Sequence, residues 1–310
     1  MINYILKRVF HGIPVVLGVI TISFILIYIA PGDPVLAIVG EYYNEETLNS
    51  LRQELHLDKP LLNQYVLFLG RIFQGDFGNS YITGRPIVDD LLIKAPYTFL
   101  LAVVAIMIAV MGGVFLGIMS AIKRNSIWDK TAVLLSIAGI SAPVFWIALL
   151  LILFFSIELH ILPPSGYGHW NFIILPAIAL GTRSLALFTR ITRTNFLEII
   201  GEDYMTTAKA KGLNNYVIVL KHGLKNLMIP LITVIGLDFS SYLTGAVLTE
   251  SIFGWPGLGR YMLDSIMQRD LPAIQGTILF MALIFVIINI LVDVLYGVAN
   301  PQTRDTILNE

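Results

Sequence analysis

The chain of 310 residues contains no cysteine and few charged residues. Each of these shortages limits the class of protein to which the chain can belong. Without cysteine it can form neither disulfides nor thiolate metal sites. Charged residues make up 13% of the sequence, whereas a soluble domain carries about 25%. Together with 56% hydrophobic residues, this deficit indicates an integral membrane protein. The net charge of −1 gives no basic field for binding nucleic acid.

Several motifs of nucleotide-binding and hydrolytic proteins are also missing from the sequence. It contains no GxxxxGK[ST] phosphate-binding loop, no HExxH zinc motif and no GxSxG nucleophile motif. The histidines lack the spacing of metal ligands. We therefore expect no catalytic residue, no metal site and no cofactor bound by this chain. The five histidines are His11, His56, His160, His169 and His222.

Long uncharged stretches predict an all-α integral membrane protein with six transmembrane helices. A membrane helix needs about 20 mainly apolar residues. The first stretch follows Lys7 and Arg8, but its apolar run is too long for a usual signal peptide, so we interpret it as a retained anchor. The predicted spans lie near residues 9–30, 98–120, 132–156, 170–189, 228–249 and 275–298.

Lysine and arginine are unevenly distributed among the predicted loops. The loops at 121–130 and 190–227 are rich in them, whereas the loop at 157–171 has none. Because cytoplasmic loops carry an excess of basic residues, we predict that both termini and the two basic loops are cytoplasmic. Residues 31–95 then face outward, since long loops cross the membrane largely regardless of charge.

These features divide the chain into three parts. Residues 1–30 hold the N-terminus and first span, residues 31–95 form an extracytoplasmic insert, and residues 96–310 form the membrane core with a cytoplasmic loop at 198–227. A connection as long as the insert should carry its own structure. We expect one helix from Asn44 to about Leu55. A second should follow Asp58-Lys59-Pro60, with an apolar stripe of Leu62, Tyr65, Val66, Leu69, Ile72 and Phe73. The insert is either a small cap on the outer helix ends or a docking surface for a partner.

The polar segment 202–212 lies between two predicted spans. Lys209 and Lys211 exclude it from hydrocarbon, and the acidic Glu202 and Asp203 suit the start of a helix. Gly212 suits the left-handed position that ends one. Asn214 and Asn215 can cap a second short helix to about Lys225. The small side chains of Ala208, Ala210 and Gly212 would let another protein approach closely, whereas the simpler alternative is a solvated turn.

Residues 250–270 form the last outer loop. Phe253 to Arg260 contains three glycines, a proline and a tryptophan, a composition that we expect to exclude a regular helix. Non-helical backbone at the membrane is tolerated where protein buries it or water wets it. We predict a re-entrant loop with Trp255, Pro256 and Gly257 at the outer mouth of a pathway. The alternative is a plain interfacial anchor, because tryptophan is enriched at the headgroup level.

Two formal charges, Arg183 and Asp238, lie clearly within predicted spans. A charge inside the membrane costs a few kcal/mol unless it is paired, wetted or snorkelling. We predict that both side chains face a translocation pathway near its inner half, either paired with each other or hydrated separately. For Arg183 the alternative is snorkelling to the inner headgroups, which is harder for the short side chain of Asp238.

The polar segment at 202–212 resembles the EAA loop of ABC importer permeases, the element that docks on the ATP-hydrolysing subunit. Further segments resemble one subfamily, the dipeptide/oligopeptide/nickel-type permeases, and specifically the member of the pair with the long first outer loop. These segments are Pro31 to Pro34, Leu57 to Pro60, Gly75 to Gly78, Leu175 to Ala177, Phe253 to Arg260, Asp293 to Gly297, and Asn300-Pro301.

The resemblance covers roughly residues 1–305 and implies a multi-pass protein of the prokaryotic inner membrane. It also implies a second permease of similar fold, two ATPase subunits that bind ATP and Mg²⁺, and an extracytoplasmic substrate-binding protein. The five residues named in 202–212 would couple ATP hydrolysis to transport. We expect di- or oligopeptides as cargo, while nickel, a metal chelate, glutathione or another small solute are alternatives. An alternative function of a different class is that of an ATP-independent channel or a proton-coupled carrier.

Overall fold

The computed structural model describes residues 2–29, 58–212, 214 and 223–299. These residues form helices joined by short turns, and an isolated bridge between Asn79 and Pro86 is the β-type pairing among them. The all-helical prediction is confirmed. The helices are α1 (Ile2–Ile29), α2 (Leu61–Phe73), α3 (Ile87–Ile122), α4 (Ile127–Ser141), α5 (Val144–Leu151), α6 (Ile174–Gly201), α7 (Asp203–Ala210), α8 (Leu224–Gly245), α9 (Val247–Ile252), α10 (Leu258–Met267) and α11 (Leu271–Ala299).

Four of these helices are long and apolar enough to cross a membrane, namely α1, α3, α11, and α6 together with the 3₁₀ turn Trp170–Ile173 that precedes it. A fifth span results if α4 and α5 are counted as one bent span. The span predicted at 228–249 corresponds to α8, whose apolar part is shorter, Leu231–Thr244. The described residues therefore support four to five spans by length and composition, and the predicted count of six is not confirmed.

The span predicted at 132–156 is not one continuous helix, because the chain bends by 110° between α4 and α5. Ala142 adopts an extended conformation with φ −75° and ψ 131°, directly before Pro143. The proline ring disfavours the helical conformation of the preceding residue, so α4 ends there. Beyond the bend α5 continues as a π-helix, Ile152–Glu158. The hydrophobic run is continuous, but the helix is not.

Helices α3 and α6 form the centre of the structure and approach each other closely at glycines of α3. A Cβ atom added at Gly113 would lie 2.6 Å from the Cβ of Phe188, and one at Gly117 would lie 2.5 Å from the Cβ of Thr192. Small residues permit such backbone contact between membrane helices, where dispersion and polar contacts replace the hydrophobic effect. This pair makes the most extensive helix contact of the described residues.

The insert attaches to the membrane helices through its C-terminal half. Asp270, at the start of α11, accepts hydrogen bonds from the hydroxyl of Ser80 at 2.5 Å and from the amide of Tyr81 at 3.1 Å. Helix α2 follows Pro60 as predicted, but none of its residues is buried. It packs on α1, where Tyr65 bonds to Thr21 at 2.7 Å. From its predicted apolar stripe, Leu62, Val66 and Phe73 remain exposed.

One boundary of the predicted organisation differs in the structure, and two predicted helices are not described by it. The last nine residues assigned to the insert belong to α3, which begins at Ile87 and not near residue 96. The predicted helix from Asn44 to Leu55 and the predicted second helix of the cytoplasmic loop lie outside the described residues.

Candidate coupling and pathway sites

The predicted coupling helix is α7, Asp203–Ala210. Glu202 is extended and exposed between α6 and α7, and its carbonyl accepts the amide of Met205 at 3.0 Å. Asp203 begins the helix, Ala208 lies within it, and Ala210 ends it with its side chain exposed. Gly212 then adopts φ +74°, the left-handed conformation that closes helices. These five residues therefore form one continuous helix and turn.

Helix α7 packs against the C-terminal end of α6. The side chain of Met205 is 1% exposed and packs against Ile199 and Ile200. At the other end of the predicted cytoplasmic loop, a Cβ atom at Gly223 would lie 2.5 Å from the ring of Phe196, which is fully buried. Both described ends of the loop thus contact α6.

A buried ion pair connects the same end of α6 to two other helices. The Nε of Arg193 donates to Oδ1 of Asp129 at 2.7 Å, and its Nη2 donates to Oδ2 at 3.0 Å. Asp129 lies in the first turn of α4, is 3% exposed, and also accepts the hydroxyl of Ser120 from α3 at 2.5 Å. The amide of Asn125 donates to it as well, at 2.9 Å. Asp129 therefore joins α3, α4 and α6 at one point.

The outer-mouth loop is organised around a second buried carboxylate. Glu250 of α9 is fully buried, and its Oε1 accepts the hydroxyl of Thr98 from α3 at 2.7 Å. Its Oε2 accepts the amide of Arg260 in the first turn of α10 at 3.1 Å. An anion at this place caps the helix and complements its dipole. Because of this cap α10 begins at Leu258, which corrects the expectation that Phe253 to Arg260 excludes a regular helix.

Trp255, Pro256 and Gly257 lie in the turn between α9 and α10. Trp255 is 4% exposed, and its indole Nε1 donates to the carbonyl of Tyr97 at 2.9 Å. Gly257 is buried against Glu250 with no space for a Cβ atom, while Pro256 is half-buried. Trp255 is thus packed inside the protein, so the interfacial-anchor alternative does not apply. The turn is fixed to the outer part of α3.

Arg183 and Asp238 lie on neighbouring helices, α6 and α8. Arg183 is exposed and Asp238 is half-buried. No side-chain nitrogen of Arg183 lies within 4.0 Å of a carboxylate oxygen of Asp238. Direct pairing, one of the two predicted arrangements, is therefore not found. By helix rise, Arg183 lies about 14 Å from the N-terminal end of α6 and about 27 Å from its C-terminal end.

Several residues of these sites were not predicted from the sequence. Asp129 follows Ser126 by three residues, and this capping pattern was a local signal: the amide of Asp129 donates to the Ser126 hydroxyl at 3.3 Å. Its partner Arg193 is 64 residues away and carries no such signal. Glu250 directly precedes the glycine-rich turn and was noticed only as the start of the outer loop.

Comparison with known proteins gives a family match along nearly the whole chain. Residues 113–305 match the family described as the binding-protein-dependent transport system inner membrane component. Residues 1–102 match the N-terminal region of membrane components of such systems.

Curated relatives and a solved structure agree with this match. The glutathione transport system permease protein GsiC of Pectobacterium atrosepticum is 41% identical over 304 residues, which are 98% of this chain and 99% of the relative. GsiC of Escherichia coli strain K12 is 40% identical with the same coverage. A chain of the inward-facing MetNI methionine ABC transporter has a TM-score of 0.58 at 15% identity and covers 68% of this chain and 96% of that chain. This last similarity concerns the fold alone.

Proposed function

We propose a specific role for this chain, which belongs to the family of binding-protein-dependent transport system inner membrane components and is a permease subunit of an ABC importer. In this role it forms half of the translocation pathway for a short peptide, with glutathione and other di- or oligopeptides as the candidate cargo. It is a membrane component of the transporter and not an enzyme. ATP and Mg²⁺ bind in separate partner subunits.

The coupling helix is the observation on which this role chiefly rests. Helix α7 is polar, carries acidic residues at its start, and ends in the left-handed turn at Gly212. Its exposed residues, including Glu202, Asp203 and Ala210, are available to an ATPase subunit. The buried Met205 holds the helix on α6. Docking of an ATPase on α7 would therefore act on a spanning helix without a flexible linker between them.

The ion pair of Arg193 and Asp129 extends this connection into the membrane. Because Asp129 bonds to groups of α3, α4 and α6, a displacement of α6 carries the other two helices with it. The close contacts of α6 with Gly113 and Gly117 stiffen the same unit. When ATP closes the two ATPase subunits, this block of helices moves relative to its counterpart in the second permease.

The pathway itself is proposed to run along one face of α6. Arg183, Arg190, Thr194 and Glu198 follow each other at spacings of seven, four and four residues, and all four are exposed in the single chain. This spacing places them along one side of the helix. Such a polar stripe is unfavourable against lipid, so it faces water or protein. Arg183 on α6 and Asp238 on α8 are the pathway-lining charges.

The identity of the relatives supports a peptide cargo. Relatives with 40–41% identity along nearly the whole chain are named glutathione permeases, and glutathione is itself a tripeptide. The proposed assembly contains this chain, a second permease of similar fold, two ATPase subunits and an extracytoplasmic binding protein. Both termini of the chain lie in the cytoplasm, and the assembly occupies the prokaryotic inner membrane.

Reconstitution of the complete importer tests this role. The complex is placed in liposomes with its binding protein outside and ATP inside, and uptake of radiolabelled glutathione and alanyl-alanine is measured. We expect uptake of at least one of the two peptides, dependent on ATP. A partner ATPase lacking its phosphate-binding lysine is the control and should abolish uptake. Uptake that continues with this control would favour the carrier reading, and uptake of neither peptide would exclude the proposed cargo.

A further inference from the structure

Helix α2 presents an exposed apolar surface that the coupling mechanism does not use. Leu62, Val66 and Phe73 follow each other at spacings of four and seven residues, which places them on one side of the helix. Their side chains are 73%, 59% and 74% exposed. Large apolar side chains grouped on a surface mark a contact with a membrane or with another protein. We call these three residues the α2 stripe.

The polar residues of α2 lie outside this stripe. Arg71 is the single charged residue of the helix and follows Leu62 by nine residues, which places it on the opposite side at about 100° per residue. Its Nε donates to Oδ2 of Asp76 at 3.0 Å, so its charge is paired. Asn63 is also exposed and lies outside the stripe. Helix α2 is therefore amphipathic, with separate apolar and polar surfaces, as in helices that lie in the plane of a membrane surface.

The contacts of α2 with α1 place it at the edge of the apolar layer. The hydroxyl of Tyr65 bonds to the hydroxyl of Thr21 at 2.7 Å, and the rings of Tyr65 and Phe68 lie 5.3 and 5.7 Å from the ring of Phe24. Thr21 is four residues from the end of the apolar span Ile5–Ile25, which is about 6 Å along the helix. Interfacial amphipathic helices bury their apolar side about 5–10 Å into the boundary between headgroups and acyl chains, which matches this position.

An apolar groove beside the C-terminal end of α2 has the chemistry of the same environment. It has a volume of about 150 Å³ and lies between α1, α2 and α11. The eight described residues that line it are all apolar. They include Phe73 of the stripe, Ile20 within the span of α1, and Leu283 within the span of α11. These side chains offer contacts to a hydrocarbon chain but no hydrogen bond to a peptide.

We propose that α2 is an interfacial helix that lies in one leaflet of the bilayer, with the α2 stripe and the groove against lipid acyl chains. In the predicted topology this is the outer leaflet. The ion pair of Arg71 and Asp76 lies on the side of the headgroups and water. A protein partner that binds and leaves would expose the stripe to water each time it dissociated, which is unfavourable, whereas lipid covers it permanently. Helix α2 thus belongs to the membrane part of the chain.

Spin labelling of the assembled importer tests this placement. Since the chain has no cysteine, Val66→Cys and Leu62→Cys each introduce a single thiol on the stripe. Asn63→Cys on the same helix is the matched control, because it is also exposed but lies outside the stripe. The importer, with partner subunits that carry no reactive cysteine, is labelled with a nitroxide in phosphatidylcholine–phosphatidylglycerol liposomes. Power saturation measures how often the label collides with oxygen, which concentrates in hydrocarbon, and with nickel-EDDA, which stays in water.

We expect the ratio of oxygen to nickel-EDDA collisions at Val66→Cys to exceed that at Asn63→Cys about fivefold or more, because only the stripe is immersed in acyl chains. Leu62→Cys should give the same result and serves if Val66→Cys does not assemble. The exposed outer position Thr83→Cys is the reference for water and should show frequent nickel-EDDA collisions. Addition of the binding protein should leave the values on the stripe unchanged.

The proposal is overturned if the labels on the stripe collide with nickel-EDDA as often as the label at Thr83→Cys, because the stripe then faces water. Rare collisions with both reagents would also overturn it, because a protein surface then covers the stripe. A loss of oxygen collisions on addition of the binding protein would identify that protein as the occupant instead. None of these outcomes depends on the cargo or on ATP-driven uptake, so they are separate from the test of the proposed function.

Discussion

Arg193 on α6 donates hydrogen bonds to both carboxylate oxygens of Asp129 at the start of α4, at 2.7 and 3.0 Å. The aspartate is nearly inaccessible, at 3% exposure, and the guanidinium is its charged partner. Removing one member of a buried pair leaves an uncompensated charge, which typically costs about 3–5 kcal/mol. The contact therefore links the C-terminal part of α6 to α3 and α4.

The first prediction concerns this pair. Arg193→Gln should lower the free energy of unfolding by about 3 kcal/mol, measured by thermal unfolding of the purified complex in detergent. The exchange of the two residues, Arg193→Asp with Asp129→Arg, should restore part of the loss. Arg190→Gln is the matched control, because Arg190 lies on the same helix but is exposed, and it should change stability by less than about 0.5 kcal/mol. Equal effects of the two Gln variants would contradict the structural role of the pair.

The second prediction concerns coupling. Gly212→Val should uncouple ATP hydrolysis from uptake or release the ATPase subunits, because a β-branched residue at φ +74° is strained by about 1–3 kcal/mol. Gly201→Val is the matched control. Both glycines have open space where a Cβ atom would lie, but only Gly212 has a positive φ. Peptide uptake per ATP hydrolysed and the co-purified ATPase are measured. If both variants behave like the wild type, the left-handed turn has no role in docking.

The third prediction concerns topology. In the cysteine-free chain, Thr83→Cys in the outer turn should react with a membrane-impermeant thiol reagent added to intact cells. Thr207→Cys on α7 should react only after the cells are made permeable. Both positions are exposed, so accessibility across the membrane decides the result. The reverse pattern would place α7 outside and remove its contact with an ATPase.

The fourth prediction concerns a close contact between α3 and α6. Gly113→Ala should destabilise the protein by about 1–3 kcal/mol, the usual cost of overpacking, because its Cβ would lie 2.6 Å from the Cβ of Phe188. Gly18→Ala in α1 is the control, because nothing lies within 4 Å of a Cβ there, and it should be neutral or slightly stabilising. Thermal unfolding of both complexes gives the comparison. If Gly113→Ala leaves the thermal stability unchanged, α3 and α6 pack less tightly than the structure shows.

The fifth prediction concerns pH. Burial raises the pKa of Glu250 above its ordinary value of 4.5, although hydrogen bonds from Thr98 and the amides of Arg260 and Gly259 oppose the shift. The folded state therefore holds this proton more tightly than the unfolded state. Its contribution to stability is complete below about pH 4.5 and is lost as the pH rises through the higher pKa of the folded state. Glu250→Gln should remove this part of the pH dependence of the melting temperature, and an unchanged pH profile would exclude it.

Local sequence patterns predicted the parts of the sites that depend on neighbouring residues. The acidic residues at 202–203 and the glycine at 212 marked the two ends of α7, because caps and left-handed turns depend on side chains within one helical turn. The apolar runs similarly predicted the long helices. Hydrophobicity gave no sign of the break at Pro143, because the chain is apolar on both sides of it.

The polar contacts between distant helices were not predictable from spacing. Asp129 and Arg193 are separated by 64 residues, and Thr98 and Glu250 by 152. Which carboxylate meets which donor depends on how the helices pack, and a single sequence does not reveal that packing. Arg183 and Asp238 were noticed only because charge is rare in a spanning segment, and their separation followed from the structure.

The two buried carboxylates also relate the protein to the thickness of its membrane. Glu250 bonds to Thr98 and Asp129 bonds to Ser120, both on α3, and at 1.5 Å per residue these positions are about 33 Å apart along the helix. The hydrocarbon layer of a bilayer is about 30 Å thick. A bilayer of this thickness can place each polar network near one edge, where water and headgroups accept it. Lipids with much shorter or longer chains would move one network away from its edge, at a cost for each ångström of mismatch, so α3 is matched to one range of acyl-chain lengths.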